Sequence, residues 1–123
     1  MTITRLVLDN EQRSLAVEFS TASESEQLSY EYLRISSEAI ANKKLKNGQQ
    51  FIASHKKNVL LTKIESVAKH GFRFIFDDGH EDIYSEAYLK VLIQEYPVRW
   101  QRYLTALKAS GHTREAMIDI KQL

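Results

Sequence analysis

The sequence predicts an α+β fold built from two related units, each an antiparallel β-hairpin followed by a short helix, packed on a C-terminal helical pair. Three observations carry that prediction. Residues 3–35 and 61–91 repeat one pattern: a strand, a second strand ending in phenylalanine, a polar turn, then Ser-x-x-Tyr-Leu and a base. Large apolar residues fall on every second position in 15–19 and 72–76, the period of a half-buried strand. From Leu89 onward they fall every three or four positions, the period of a helix.

In the first unit Ile3-Thr4-Arg5-Leu6 opens a strand that answers Leu61-Thr62-Lys63-Ile64 in the second, and Phe19 answers Phe76. The two copies differ by one residue in turn length. Residues 20–25 form a loose, glycine-free turn, after which Ser29 offers its hydroxyl to the free amides of a short helix over 30–35. Residues 36–57, with Asn47-Gly48 and many polar side chains, read as a long connection with a helical turn around 38–44. In the second unit, Asp77-Asp78-Gly79-His80 has the residue types that accept positive φ and bond their own backbone. It should fold 72–76 back onto 81–84, with Ser85 capping a helix over 86–94.

The stripe Leu89, Leu92, Ile93, Tyr96, Trp100, Tyr103, Leu104 and Leu107 runs through both sides of Pro97. Proline inside one continuous helix costs ~3 kcal/mol or more, so a break near Tyr96 with Pro97 in the first turn of a second helix is expected. Ser110-Gly111 ends that helix, which makes residues 1–110 one domain and 111–123 a tail with a short helix over 114–120 capped by Thr113.

At 123 residues and 43% hydrophobic content the chain has material for one core. It has no cysteine, which excludes disulfides, thiolate nucleophiles and cysteine-ligated zinc or iron-sulfur centres. Met1 to Leu8 lacks the order of a signal peptide, and no apolar run approaches the ~18 residues of a spanning helix, so no membrane association is expected and the cytoplasm is the expected compartment. The net charge of +1 is unevenly spread: −4 over 1–40, +7 over 41–75 and −2 over 76–123. Lys43, Lys44, Lys46, Lys56 and Lys57 in the basic middle are candidate contacts for an acidic partner surface. Nucleic acid is the weaker fit, because arginines are few there and no aromatics are interleaved.

Phe76-Asp77-Asp78-Gly79-His80 followed by Ile83-Tyr84-Ser85 and Tyr88-Leu89, the earlier Tyr32-Leu33-Arg34-Ile35-Ser36, and Thr62 to Val67 together resemble the gamma-butyrobetaine hydroxylase-like N-terminal domain family. Trp100-Gln101-Arg102-Tyr103-Leu104 is similar to the tail of its small free-standing bacterial members. The resemblance spans roughly residues 3–107. It implies a small α+β domain, found alone in bacteria, at the front of 2-oxoglutarate-dependent hydroxylases, and attached to some Mrp-type P-loop iron-sulfur carriers. Hydroxylase activity does not follow from it, since the catalytic iron of those enzymes lies in a separate downstream domain. In those hydroxylases the module also holds a structural zinc through three cysteines and one histidine. His80 matches the histidine and nothing matches the cysteines, so the resemblance implies a lost zinc site and no cofactor.

His80-Glu81-Asp82 spells the His-x-Asp of an iron-binding facial triad, with His112 as a conceivable distant histidine, but the scaffold that would aim such a triad is missing. His80, Asp78 and Asp82 remain weak metal candidates, because Asp77, Asp78, His80 and Asp82 should alternate in direction along a hairpin. His55 and His70 read as solvated. Ser14, Ser36, Ser37 and Ser54 have no His-Asp pattern in sequence that activates a nucleophile, and four glycines without Gly-Lys-Ser/Thr exclude a P-loop. Trp100 is a candidate interface anchor, although it lies on the apolar stripe. The expected function is therefore a non-catalytic protein-binding or adaptor module with a protein partner. The alternative is a small metal- or ligand-binding domain linked to iron-sulfur or metalloenzyme maturation.

Overall fold

A computed structural model describes residues 2–20, 25–37 and 56–110. Within these ranges the order is β1 (Ile3–Asp9), β2 (Ser14–Phe19), β3 (Glu26–Ser29), α1 (Tyr30–Ile35), β4 (Leu61–Val67), β5 (Gly71–Phe76), β6 (Glu81–Tyr84), α2 (Glu86–Gln94) and α3 (Tyr96–Ser110). The strands form two antiparallel three-stranded sheets, β1-β2-β3 and β4-β5-β6. Each predicted hairpin thus carries a third strand. In the first unit β3 was hidden in sequence, because only Leu28 of its four residues is buried.

The repeat is structural as well as sequential. Ile3 lies opposite Phe19 and Leu61 opposite Phe76, and each first strand has a register shift just after that pair. Thr4 and Thr62, at the two shifts, donate their hydroxyls to Glu18 O and Ile75 O. Ser29 and Ser85 cap α1 and α2, accepting from the amides of Tyr32 and Tyr88. The one-residue length difference occurs twice: Ile3 to Phe19 is one residue longer than Leu61 to Phe76, and Phe19 to Ser29 is one longer than Phe76 to Ser85. The β4–β5 turn closes more tightly and ends on Gly71 at φ +118, where a Cβ would lie 2.4 Å from Tyr84 O. Only glycine fits that close approach.

Both units feed one core. Leu15, Val17, Tyr32, Leu33, Leu61, Phe74, Leu89 and Leu92 are fully buried, with Phe76 and Tyr84 nearly so. Phe74 and Tyr84 stack across β5 and β6 at 4.4 Å between centroids. α2 and α3 meet at Glu95 beside Pro97, so the predicted break is present, and Pro97 sits in the first turn of α3 where no amide is needed. Tyr96 departs from the expected stripe. Lying at the break, it keeps one side in solvent while its ring stacks on Trp100 and meets Tyr32 edge-on at 5.0 Å.

The two units are tied by a reciprocal pair of tyrosines. Tyr32 of the first Ser-x-x-Tyr donates to Leu92 O at 2.7 Å, and Tyr88 of the second donates to Ser36 O at 2.5 Å. Leu92 and Ser36 stand in equivalent positions of the repeat, so each tyrosine satisfies a carbonyl at the far end of the other unit's helix. Burial raises the Tyr32 hydroxyl to about 12, which keeps it a donor. Tyr32→Phe is expected to cost about 1–2 kcal/mol, because it leaves a buried acceptor without its donor. Urea unfolding measures this, and a loss below ~0.3 kcal/mol would mean the bond contributes nothing.

The proposed turn at 38–44, Lys43, Lys44, Lys46, His55, His112 and the segment 111–123 lie outside the described residues.

Candidate functional site

The polar side chains that carry chemistry gather where the β5–β6 turn packs against the C-terminal end of α1. The turn is shaped by its own residues: Gly79 takes φ +87, the Phe76 amide donates to His80 O, and the His80 amide donates to Asp78 Oδ1. Asp77 points away, accepting from the Leu60 amide through Oδ1. Asp78, His80 and Asp82 instead reach toward Arg34 and Ser37. Three of the four turn-region groups therefore approach the end of α1, Asp78 on Arg34 and His80 and Asp82 both on Ser37.

Asp78 Oδ2 accepts from Arg34 Nε and from Lys56 Nζ, each at 2.9 Å. Burial alone would raise the Asp78 carboxyl. The hydrogen bonds from Lys56 and the His80 amide, with the Arg34 charge, outweigh it and bring the carboxyl down to about 2. Asp78 is therefore an anion at any physiological pH. Arg34 is almost completely enclosed, and its Nη1 is buried without a hydrogen-bond partner. The sequence marked Lys56 as a surface contact, but the structure commits its ammonium to Asp78. Lys57 is exposed beside it.

Ser37, fully buried, sits between the remaining two groups. Its Oγ lies 2.5 Å from Asp82 Oδ2 and 2.9 Å from His80 Nε2. A Ser-His-Asp set thus exists, which the sequence did not reveal because Ser37 lies 43 residues before His80. It is wired unlike a nucleophile site. The hydroxyl has one proton and gives it to Asp82, so His80 Nε2 must donate to Ser37 and has no lone pair there to act as base. Burial, followed by the nearby Arg34 charge, lowers the His80 pKa and favours the neutral imidazole.

These residues do not fit the structural zinc that the resemblance associates with His80. His80 Nε2 is spent on Ser37, Asp78 is held by two cations and Asp82 by a hydroxyl. Among the described residues no group of three or more His, Cys, Asp or Glu is placed to hold an ion. The guanidinium of Arg34 also sets a fixed positive charge beside the imidazole, which opposes a second cation. The bonds to Arg34 and Ser37 pin the turn to the C-terminal end of α1.

Trp100, the candidate anchor, packs on the core between Tyr96, Tyr103 and Tyr32, with Tyr103 5.2 Å away. The surface that sequence reasoning missed is on the opposite side of α3. Val98 is 61% exposed there, next to exposed Pro97. Pro97, Val98, Gln101, Arg102, Thr105, Ala106 and Ala109 line a shallow groove of about 640 Å³. Its small side chains carry no apolar signal strong enough to register beside the Leu and Trp stripe. No helix among the described residues is long and apolar enough to cross a membrane.

With the fold in view, comparison with known proteins places the chain. Two structures solved by NMR in solution share it at TM-score 0.76: one is 31% identical and covered over 91% of its length, the other 24% identical and covered over 96%, each matching 99% of this chain. A crystal structure of a protein of unknown function from Acidithiobacillus ferrooxidans ATCC 23270, of the DUF971 family, matches 74% of this chain and 91% of its own at TM-score 0.58 and 21% identity. No protein of curated function matches. The family model "Gamma-butyrobetaine hydroxylase-like, N-terminal" matches residues 6–90, from within β1 into α2, including α1 and the site built on the β5–β6 turn. The chain belongs to the gamma-butyrobetaine hydroxylase-like N-terminal domain family.

Proposed function

We propose that this chain is a non-catalytic protein-binding module that acts as an adaptor. The observation that carries the reading is the open apolar face of α3 around Val98, an exposed large hydrophobe beside an exposed proline on the side of the helix opposite buried Tyr103 and Leu107. Two further features support it. The titratable groups in and beside the β5–β6 turn are bonded to Arg34, Lys56, Ser37 and the Leu60 amide, and Ser37 is buried with its hydroxyl donating to Asp82. A site prepared for substrate keeps such groups open to a cleft.

A photo-crosslinking residue at position 98, introduced in the native host, is expected to yield a discrete protein adduct, while the same residue at Lys63 on β4 yields none. An absence of adduct at 98 would defeat the reading. So would stoichiometric zinc or iron in tag-free protein that disappears in His80→Ala, since that outcome selects the metal-binding alternative.

A further inference from the structure

The open face of α3 also carries information about what it binds. α3 contains no acidic residue, and it bears Arg99, Arg102 and Lys108. Arg99 is held by Glu95 at 2.9 Å and lies over the Tyr88 ring. Among the described residues Arg102 and Lys108 form no ion pair. On a helical wheel Val98, Arg102, Thr105 and Ala109 share one stripe, with Gln101 and Lys108 along one edge. The stripe is apolar at both ends, and between them the Arg102 stem and Thr105 floor a shallow groove that the side chains of a second helix can enter. It also leaves the Arg102 and Lys108 charges exposed with no ion-pair partner among the described residues.

We infer that the Pro97–Ala109 face of α3 is a helix-docking groove for a partner protein's acidic amphipathic helix, one with large aliphatic residues at i, i+3, i+4 and i+7 and carboxylates along its flanks. This rests on the protein-binding reading and adds the chemistry of the partner. The aliphatic side chains would fill the gaps over Thr105, Ala106 and Ala109 against Val98, and the flanking carboxylates would meet Arg102 and Lys108. Charge complementarity of this kind acts mainly on association rate and on the rejection of wrong partners, so a basic helix of the same apolar pattern should be excluded. The rest of the surface offers less. The Asp9, Gln12, Ser14, Gln27 and Ser29 depression is lined by groups already bonded to their own turns and strands.

The test uses the full chain, isotope-labelled, and two synthetic helical peptides with identical leucine patterns, one flanked by glutamates and one by lysines. The glutamate peptide is expected to shift the amides of 98–109 and to bind roughly tenfold more tightly than the lysine peptide at low salt, with the preference shrinking as salt rises. Arg102→Glu should abolish the preference, while Arg5→Glu, the same charge change on distant β1, should leave it intact. The dispersion of each variant's spectrum checks that it is folded. Equal binding of both peptides, shifts outside α3, or no binding would overturn the inference. Concentration-dependent shifts of α3 without peptide would give the groove to a second copy. Nuclear Overhauser contacts from residues 111–123 to Val98 in the free protein would give it to the chain's own end. Either result also overturns it. A discrete adduct at position 98 together with a failed peptide experiment leaves protein binding standing and removes only the acidic helix.

Discussion

Phe76→Ala is expected to lower the stability of the domain by about 3–5 kcal/mol, the range for removing a buried aromatic ring from a packed core. Phe76 is 2% exposed and closes β5 opposite Leu61, itself fully buried. The residue also sits at the root of the β5–β6 turn. Its amide donates to His80 O, its carbonyl accepts from Gly79, and its ring lies 6.2 Å from the imidazole of His80. Emptying that position therefore removes contacts from the core and from beneath the polar cluster at once. For a domain whose total stability falls in the usual range of about 5–15 kcal/mol, this is a large fraction. Urea unfolding checks it: the midpoint should fall with little change in slope. A loss below ~1 kcal/mol would show that the face of β5 bearing Phe74 and Phe76 is not the one in the core.

The alternation that predicts this burial is a local property, and local properties are what the sequence showed clearly. Leu15, Val17 and Phe19 lie inward because strand geometry sends every second residue to one face. Ser29 and Ser85 cap helices because a hydroxyl three residues ahead of an amide can reach it whatever else the chain does. Repetition extended that reach, since a motif written twice predicts two similar units. What stayed hidden is set by distance along the chain. Glu26–Ser29 pairs with β2 through its backbone, and its side chains give no period to read. The association of Arg34 with Asp78, and of Ser37 with His80 and Asp82, bridges more than forty residues and depends on how α1 docks against the second sheet. Even there a trace existed: the two Ser-x-x-Tyr motifs imply equivalent surroundings, and equivalent surroundings produce the crossed tyrosine bonds to Leu92 and Ser36. The α3 groove was missed for the opposite reason, since its residues are close in sequence but too small and mixed to stand out by hydropathy.

Asp78→Ala is expected to cost about 3–5 kcal/mol near neutral pH, because it strands an arginine that cannot reach water. Arg34 is buried along most of its side chain, its Nη1 already lacks a partner, and Asp78 supplies the carboxylate that meets its Nε at 2.9 Å. Removing a partner from such a pair costs more than the pair itself contributes, since the remaining charge keeps its desolvation penalty. Asp78→Asn should cost less, because an amide oxygen still accepts from Arg34 and only the charge is lost. The same substitution isolates the pH dependence. The folded Asp78 carboxyl lies at about 2 against an ordinary value of 3.8, so its contribution is complete above the ordinary value and is lost as pH falls toward about 2, where the folded carboxyl takes up its proton. The stability gap between wild type and Asp78→Asn should therefore hold from neutrality down to the ordinary carboxylate value and close across the window below it. His80 is present in both proteins, and because its pKa is lowered, its own loss of stability begins as pH falls through the ordinary value of 6.5. Urea midpoints measured across the acidic range on both proteins decide the matter: a gap that keeps its size down to the folded pKa would mean that Asp78 is not the anion that neutralises Arg34.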